Sequence, residues 1–406
     1  MKILRIIARL NVGGPARHVV WLAKEFADDE FQTVLAAGTV PDGEEDMSYL
    51  ALESGIEPIY IEQMSRELSP KDAVSLWKIF GLMRAERPDI VHTHTAKAGT
   101  VGRAAAFLYR WLTWKTFIGK PRKIKIVHTF HGHIFHSYYG KLKTSLFIFI
   151  EKALAKFATD KIVVISDQQF REIHEEVGIG KRLQFSVVPL GIDLEQFKDT
   201  EPHRPHFRKE IGADETDVLV SLVGRLTEIK NISMFLNAAA LAKKMAADEG
   251  IAFKFAIVGD GHMRRQLEKE SIELGLEKDL TFAGNRKDTE NIYAASDIIG
   301  LTSFNEGTPL SLIEAMASGR PVISTAVGGV VDLLGDPIEK HKDIEVCENG
   351  LGIAAGYAED FAEGLIYLAK NERLRGELGK NSKNFVTKRY SKERLVNDLK
   401  KLYRSL

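Results

Sequence analysis

The chain has 406 residues and a mass of 45.4 kDa, too long for one ordinary hydrophobic core, so two domains of roughly 190 residues each are expected. Basic and acidic residues balance at 56 each, which leaves no overall field to draw the chain to nucleic acid. The single cysteine, Cys347, excludes a disulfide framework and fits a reducing compartment, and no apolar run approaches the ~20 residues a membrane-spanning helix needs.

The N-terminus is interrupted by Arg5 and Arg9, so it reads as a first strand and not as the apolar region of a signal peptide. From there strand-like runs alternate with helix-period segments to the end, the pattern of parallel sheets covered on both faces. The first half predicts strands near 2–9, 32–37, 58–62, 89–94, 124–130, 161–166 and 185–189, with helices such as Pro15 to Phe26 and Asp72 to Glu86 between them. A second series follows near 218–223, 253–258, 280–283, 297–302 and 321–325. Three prolines and a glycine without periodicity make Pro189 to His206 the linker. The expected domains are therefore 1–190 and 191–380, followed by a helical tail, 381–406, able to pack back on the first. No solenoid repeat or low-complexity tract occurs.

The first strand runs into Asn11-Val12-Gly13-Gly14-Pro15. Paired glycines let a ligand approach the backbone, and Pro15 suits the first helical position. The turn is not G-x-G-x-x-G, and no acidic residue follows where a ribose would need one, so nicotinamide binding is disfavoured. A plain tight turn is the structural alternative.

Six of the twelve histidines lie between His92 and His136: His92, His94, His128, His131, His133 and His136. Zinc is the first chemistry to weigh, because H-x-H pairs from two strands can ligate it. No carboxylate or cysteine nearby would complete such a site, so no metal is expected. Histidines at strand ends more often position substrate hydroxyls or a phosphate, with one or two only capping the sheet.

Ile90 to Ile150 contains no acidic residue, although 56 in 406 would place about eight there. It carries Lys97, Arg103, Arg110, Lys115, Lys120, Arg122, Lys123, Lys125, Lys141 and Lys143 among Phe107, Tyr109, Trp111, Trp114 and Phe117. That mixture suits an anionic membrane surface, with Lys120, Arg122 and Lys123 at its centre. The alternative is a solvated basic face over core aromatics. Nucleic acid is disfavoured by the neutral chain and by the different folds of base-stacking modules.

In the second half, Gly224-Arg225 and Lys230 follow a strand end, at the rim where open α/β sheets bind ligands. A planar fork and a point charge five residues apart suit a diphosphate. Gly259-Asp260-Gly261 and Gly284-Asn285-Arg286 meet the same rim. Glu306 and Glu314 bracket a turn and helix start in which Thr308 reads as N-cap and Pro309 as the first helical residue, with Gly319-Arg320-Pro321 as the stop. The free N–H groups of Leu310 and Ser311 offer an anion site, and carboxylates on either side can accept hydroxyls. A ligand with phosphates in the middle and polyols at both ends fits, which describes a nucleotide-sugar.

Together these motifs resemble the retaining glycosyltransferases of family 4, whose GT-B architecture sets two Rossmann-like domains facing each other across a cleft. The likeness covers nearly the whole chain and is strongest from Gly224 to Gly329. Glu306 to Glu314 matches the family's E-x7-E signature, Gly224-Arg225 with Lys230 its G-R-x4-K element, Gly13-Gly14 its N-terminal glycine loop, and His131 its active-site histidine. The resemblance implies that Glu314 binds the ribose and Glu306 the donor sugar, while Gly307, Thr308, Pro309 and Leu310 line the donor through the backbone. Arg225 and Lys230 would stabilise the departing diphosphate, His131 would contact the transferred sugar, and Asn285 and Arg286 would lie by the base. It also implies retention of anomeric configuration and no metal cofactor, in keeping with the lack of a D-x-D motif. The acceptor expected is a glycan hydroxyl, lipid-linked or presented at a membrane in bacterial surface polysaccharide synthesis, with His94, Lys97 and His133 toward it and the enzyme peripheral at the cytoplasmic membrane face. A sugar-nucleotide epimerase of the same architecture and a non-catalytic nucleotide-sugar-binding scaffold are the alternatives.

Overall fold

Strands form at all twelve predicted places, because each is a short run of β-branched and apolar residues bounded by polar turns. The computed structural model describes the whole chain except residues 12–13, 41–45, 65–69, 132–140 and 200 and the side chains of 141–143, 201 and 248. The chain divides into two compact units, Met1–Gly191 with Glu393–Leu406, and Ile192–Lys392.

In the first unit β1 (Lys2–Ile7), β2 (Gln32–Ala37), β3 (Ile59–Tyr60), β4 (Ile90–His94), β5 (Lys125–Thr129), β6 (Lys161–Val164) and β7 (Phe185–Val187) form one parallel sheet in the order β3-β2-β1-β4-β5-β6-β7. Helices Lys71–Glu86 and Ala96–Trp111 cover one face through Ile79, Met83, Ala98 and Ala105. Leu22 and Phe26, at the end of the helix Gly14–Glu25, pack on the other beside Leu395, Leu399, Leu402 and Tyr403 of the helix Lys392–Arg404. Two cations are sealed inside. Arg103 donates to both oxygens of Glu151 at 2.6 Å, each residue 0% exposed. Arg5, also fully buried, has no such carboxylate: it donates to the Tyr403 hydroxyl at 3.0 Å and lies 4.9 Å from the Phe26 ring centre.

In the second unit β8 (Val218–Val223), β9 (Phe253–Val258), β10 (Leu280–Gly284), β11 (Ile298–Leu301) and β12 (Val322–Thr325) are joined by three strands that the apolar pattern does not predict. These are β13 (Pro337–His341), β14 (Ile344–Cys347) and β15 (Leu351–Ile353), and the sheet order is β10-β9-β8-β11-β12-β15-β14-β13. β13 is a charged, exposed edge strand and β15 has only three residues, so neither presents a hydrophobic period. The helices Ile232–Ala246 and Ala358–Lys370 pack on one face, and Leu310–Ala317 and Glu372–Tyr390 on the other.

Two boundaries differ from expectation. Residues from Ile192 onward do not behave as a linker, because Leu194 and Phe197 are buried in the second unit's core. The single terminal helix expected at 381–406 is two helices separated by the extended Ser391, and only the last belongs to the first unit. Among the described residues no helix is long and apolar enough to cross a membrane.

Candidate functional site

Strand order reverses between β1 and β4 in the first unit and between β8 and β11 in the second. Ligands of open α/β sheets bind outside the carboxyl ends of the strands at such a reversal, and most of the predicted residues stand at these two places.

In the first unit the helix after β1 begins at Gly14, so Pro15 is its second residue and not its first. Gly13 lies outside the described residues, as do His133 and His136. A pocket of about 210 Å³ opens here, lined by Arg9, Asn11, Pro15, Thr95 and Lys97. Thr95 adopts φ 69°, ψ 156°, a conformation costly for a residue with a Cβ and concentrated at ligand sites. Lys97 is 5% exposed and ion-paired with Asp72, so part of its charge is already spent.

Alternation along a strand sorts the histidines onto two faces. His92 is structural: its Nδ1 accepts the Tyr403 hydroxyl at 2.6 Å and its Nε2 meets Thr129 Oγ1 at 2.7 Å. His128, on the opposite face, pairs its Nδ1 with Thr93 Oγ1 at 2.8 Å and is fully buried. His94 and His131 converge, sharing a hydrogen bond of 2.9 Å between Nδ1 and Nε2. A third imidazole joins them: His18, its ring centre 5.0 Å from that of His131 and 6.0 Å from that of His94. Sequence reasoning missed His18, although a polar residue one helical turn past Gly14, in line with the buried Leu22, was the available signal. Burial holds His131 down to about 4, and burial with the neighbouring imidazoles holds His94 and His18 well below the ordinary range, so the trio is neutral at pH 7.

The acid-free stretch does not form one basic face. Arg103 and Lys97 turn inward, and Arg122 donates to the carbonyls of Tyr109 and Leu112 while stacking on the Tyr109 ring, so it caps the helix Ala96–Trp111. Lys115, Lys120 and Lys123 are exposed beside Trp114, Phe117 and Ile118, which are 69%, 93% and 58% exposed.

The second unit gathers the other group. Lys230 Nζ and Ser303 Oγ both donate to Oε1 of Glu306. Thr302 fixes the chain opposite, its hydroxyl donating to the carbonyls of Lys230 and Asn231. The backbone beneath is pinned: Gly329 N–H donates to Glu306 O at 3.0 Å, and a Cβ on Gly329 would stand 1.7 Å from Gly307 O. Gly259 (φ 134°) supports the Arg225 loop in the same way, since a Cβ there would stand 2.0 Å from Gly224 O. Arg225 itself is exposed.

The helix after Glu306 starts one residue later than expected. Leu310 is its first residue, Pro309 is an extended cap (φ −71°, ψ 115°) without an N–H, and Thr308 does not cap: its buried hydroxyl has no partner. Gly319 ends the helix in the left-handed conformation, as read from the sequence. Glu314 accepts the Tyr293 hydroxyl at 2.8 Å. Tyr293 is wholly buried, so this bond aims the carboxylate, and Tyr293→Phe is expected to weaken, about tenfold in calorimetry, the binding of a ligand hydroxyl held by Glu314. Unchanged affinity would show that Glu314 is aimed by other contacts. Asn285 is exposed at the end of β10, whereas Arg286 is engaged with Asp288 and Glu210, which raise its pKa further.

Comparison with known proteins gives these sites a class. Residues 12–196 match the model of Glycosyltransferase Family 4, and residues 203–385 that of Glycosyl transferases group 1. Over 377 residues the chain is 27% identical to the UDP-Gal:alpha-D-GlcNAc-diphosphoundecaprenol alpha-1,3-galactosyltransferase of Escherichia coli, covering 90% of each chain. It is likewise 27% identical over 389 residues to the GalNAc-alpha-(1->4)-GalNAc-alpha-(1->3)-diNAcBac-PP-undecaprenol alpha-1,4-N-acetyl-D-galactosaminyltransferase of Campylobacter jejuni, covering 94% of this chain and 93% of that one. The crystal structure of Anabaena Alr3699/HepE in complex with UDP superimposes over all of both chains with a TM-score of 0.80 at 19% identity. The protein is a glycosyltransferase of the GT-B fold. It belongs to glycosyltransferase family 4.

Proposed function

We propose that the chain moves a hexose or N-acetylhexosamine from a UDP-sugar to a hydroxyl of a lipid-linked glycan in bacterial surface polysaccharide synthesis, with retention of configuration and without a metal cofactor. The observation that carries this reading is the pair of aimed carboxylates flanking the amides of Leu310 and Ser311: Glu306 held by Lys230 and Ser303, Glu314 held by Tyr293. Glu314 takes the ribose, Glu306 the sugar, and Asn285 and Arg286 lie by the base. Gly307 and Thr308 add their N–H groups to those of the helix start. Arg225 and Lys230 neutralise the departing diphosphate, the role a metal ion plays elsewhere. His131 contacts the transferred sugar, and the pocket beside His94 and Lys97 receives the acceptor. The E. coli and Campylobacter relatives, whose names specify diphosphoundecaprenol-linked acceptors, support that acceptor class, and the HepE complex supports UDP.

The test is a panel of nucleotide-sugars screened by thermal stabilisation, then transfer to a synthetic polyprenyl-diphosphate sugar with the product anomer read by NMR. A UDP-sugar should stabilise the protein and yield an α-linked product with magnesium chelated. Conversion of donor without acceptor would favour an epimerase, and stabilisation without turnover a scaffold.

We further propose peripheral attachment at the cytoplasmic membrane face through Trp114, Phe117 and Ile118, with Lys115, Lys120 and Lys123 against anionic headgroups. Sedimentation with anionic liposomes should fall steeply with salt and in a Lys115/Lys120/Lys123→Glu variant. Unchanged sedimentation of that variant would sink the attachment.

A further inference from the structure

We infer that His18, His94 and His131 form a binding site for a transition-metal dication, zinc foremost, and that its occupation inhibits transfer. The inhibitory half rests on the role proposed for His131; the binding half does not.

One ring nitrogen from each histidine lies within 4.8 Å of the others. Tetrahedral zinc with bonds of about 2.0–2.1 Å needs ligand nitrogens about 3.3 Å apart. His94 and His131, now 2.9 Å apart, would open by a few tenths of an ångström, the metal replacing the proton between them. His18 would close by up to about 1.5 Å, and it stands on the edge of the site, only partly buried. The cluster also holds more hydrogen-bonding capacity than the protein satisfies: His18 Nδ1 and His94 Nε2 are buried without partners. His92 and His128 are excluded from the set, the first with both nitrogens engaged and the second on the opposite face.

The donor set selects the ion. Three neutral imidazoles and no carboxylate suit zinc, copper or cobalt, and offer nothing to magnesium or calcium, which take oxygen. Three protein ligands leave a fourth position open to water or a sugar hydroxyl. Arg5, buried behind His92, repels the added charge, so the site is reversible and not a permanent structural zinc. An ion held there takes the imidazole that would otherwise face the transferred sugar.

The experiment titrates chelator-stripped full-length enzyme with Co2+, following visible absorption, and with Zn2+ in equilibrium dialysis. One equivalent should bind with a four-coordinate cobalt spectrum. His18→Gln and His94→Gln, each checked for native thermal unfolding, should lose at least tenfold in affinity, while His262→Gln, an exposed imidazole on Glu228, should not. Zn2+ but not Mg2+ should inhibit transfer over the same concentration range. Absence of a stoichiometric cobalt spectrum, or full affinity in both the His18 and His94 variants, would overturn the site. Histidine-dependent binding without inhibition would instead overturn the link to His131 and leave the donor-site reading to its own test.

Discussion

Lys230→Ala is expected to lower kcat by about two to three orders of magnitude while KM for the donor moves only a few-fold, the signature that the proposed role of Lys230, a preorganised charge facing the departing diphosphate, would leave. The reason lies in its setting. Lys230 is 15% exposed and already paired with Glu306, itself 12% exposed, and the chain carrying it is fixed by Thr302. The cation is therefore in place before the leaving group forms. Arg225→Ala should act in the same direction but less strongly, because Arg225 is exposed and screened by water. Since Lys230 and Glu306 share a contact, the double variant Lys230→Ala/Glu306→Ala should lose less than the product of the single losses. Steady-state kinetics with a verified donor would decide it. A normal rate in Lys230→Ala would remove Lys230 from leaving-group stabilisation.

Glu151→Ala is expected to destabilise the first unit by about 3–5 kcal/mol, because it abandons the Arg103 guanidinium in a place where neither partner touches solvent. Truncating one member of a buried pair costs far more than the pair contributes. The double replacement Arg103→Met/Glu151→Leu should accordingly recover most of the loss. Urea unfolding followed in the first unit distinguishes the two outcomes; equal instability of the single and double variants would mean that packing, not the stranded charge, sets the cost.

What the sequence made legible follows a physical line. Most of β1 to β12 are largely buried parallel strands built from apolar and β-branched runs, so they could be read directly, whereas β13 is charged and exposed and β14 and β15 have only four and three residues, and these escaped notice. The residues at strand ends were legible by type: Arg225, Lys230, Glu306 and Glu314 all stand at the carboxyl rim of the second sheet. Their partners were not. That Lys230 reaches Glu306, or that Tyr293 reaches Glu314, depends on contacts between separate segments that leave no local pattern. The helix start was displaced by one residue because Pro309 stays extended at ψ 115°, which moves the cap from Thr308 to Pro309. The acid-free stretch misled for a related reason. The acids that neutralise Lys97 and Arg103, namely Asp72 and Glu151, lie outside it in sequence but against it in space. His18 was overlooked because its companions come from two strands far along the chain.

The helix Lys392–Arg404 has a consequence for how the protein is made. The first unit contains residues from before and after the second unit in the chain, with Leu395, Leu399 and Tyr403 closing over Leu22, Phe26 and Arg5. On the ribosome, β1 emerges before the whole of the second unit, whereas the segment that shields Arg5 and meets His92 through the Tyr403 hydroxyl emerges after it. The nascent first unit must therefore wait, with one flank of its sheet uncovered, through the synthesis of the entire second unit. A stop codon just ahead of Lys392 would leave both Rossmann-like sheets encoded in full yet deprive the first of its closing piece.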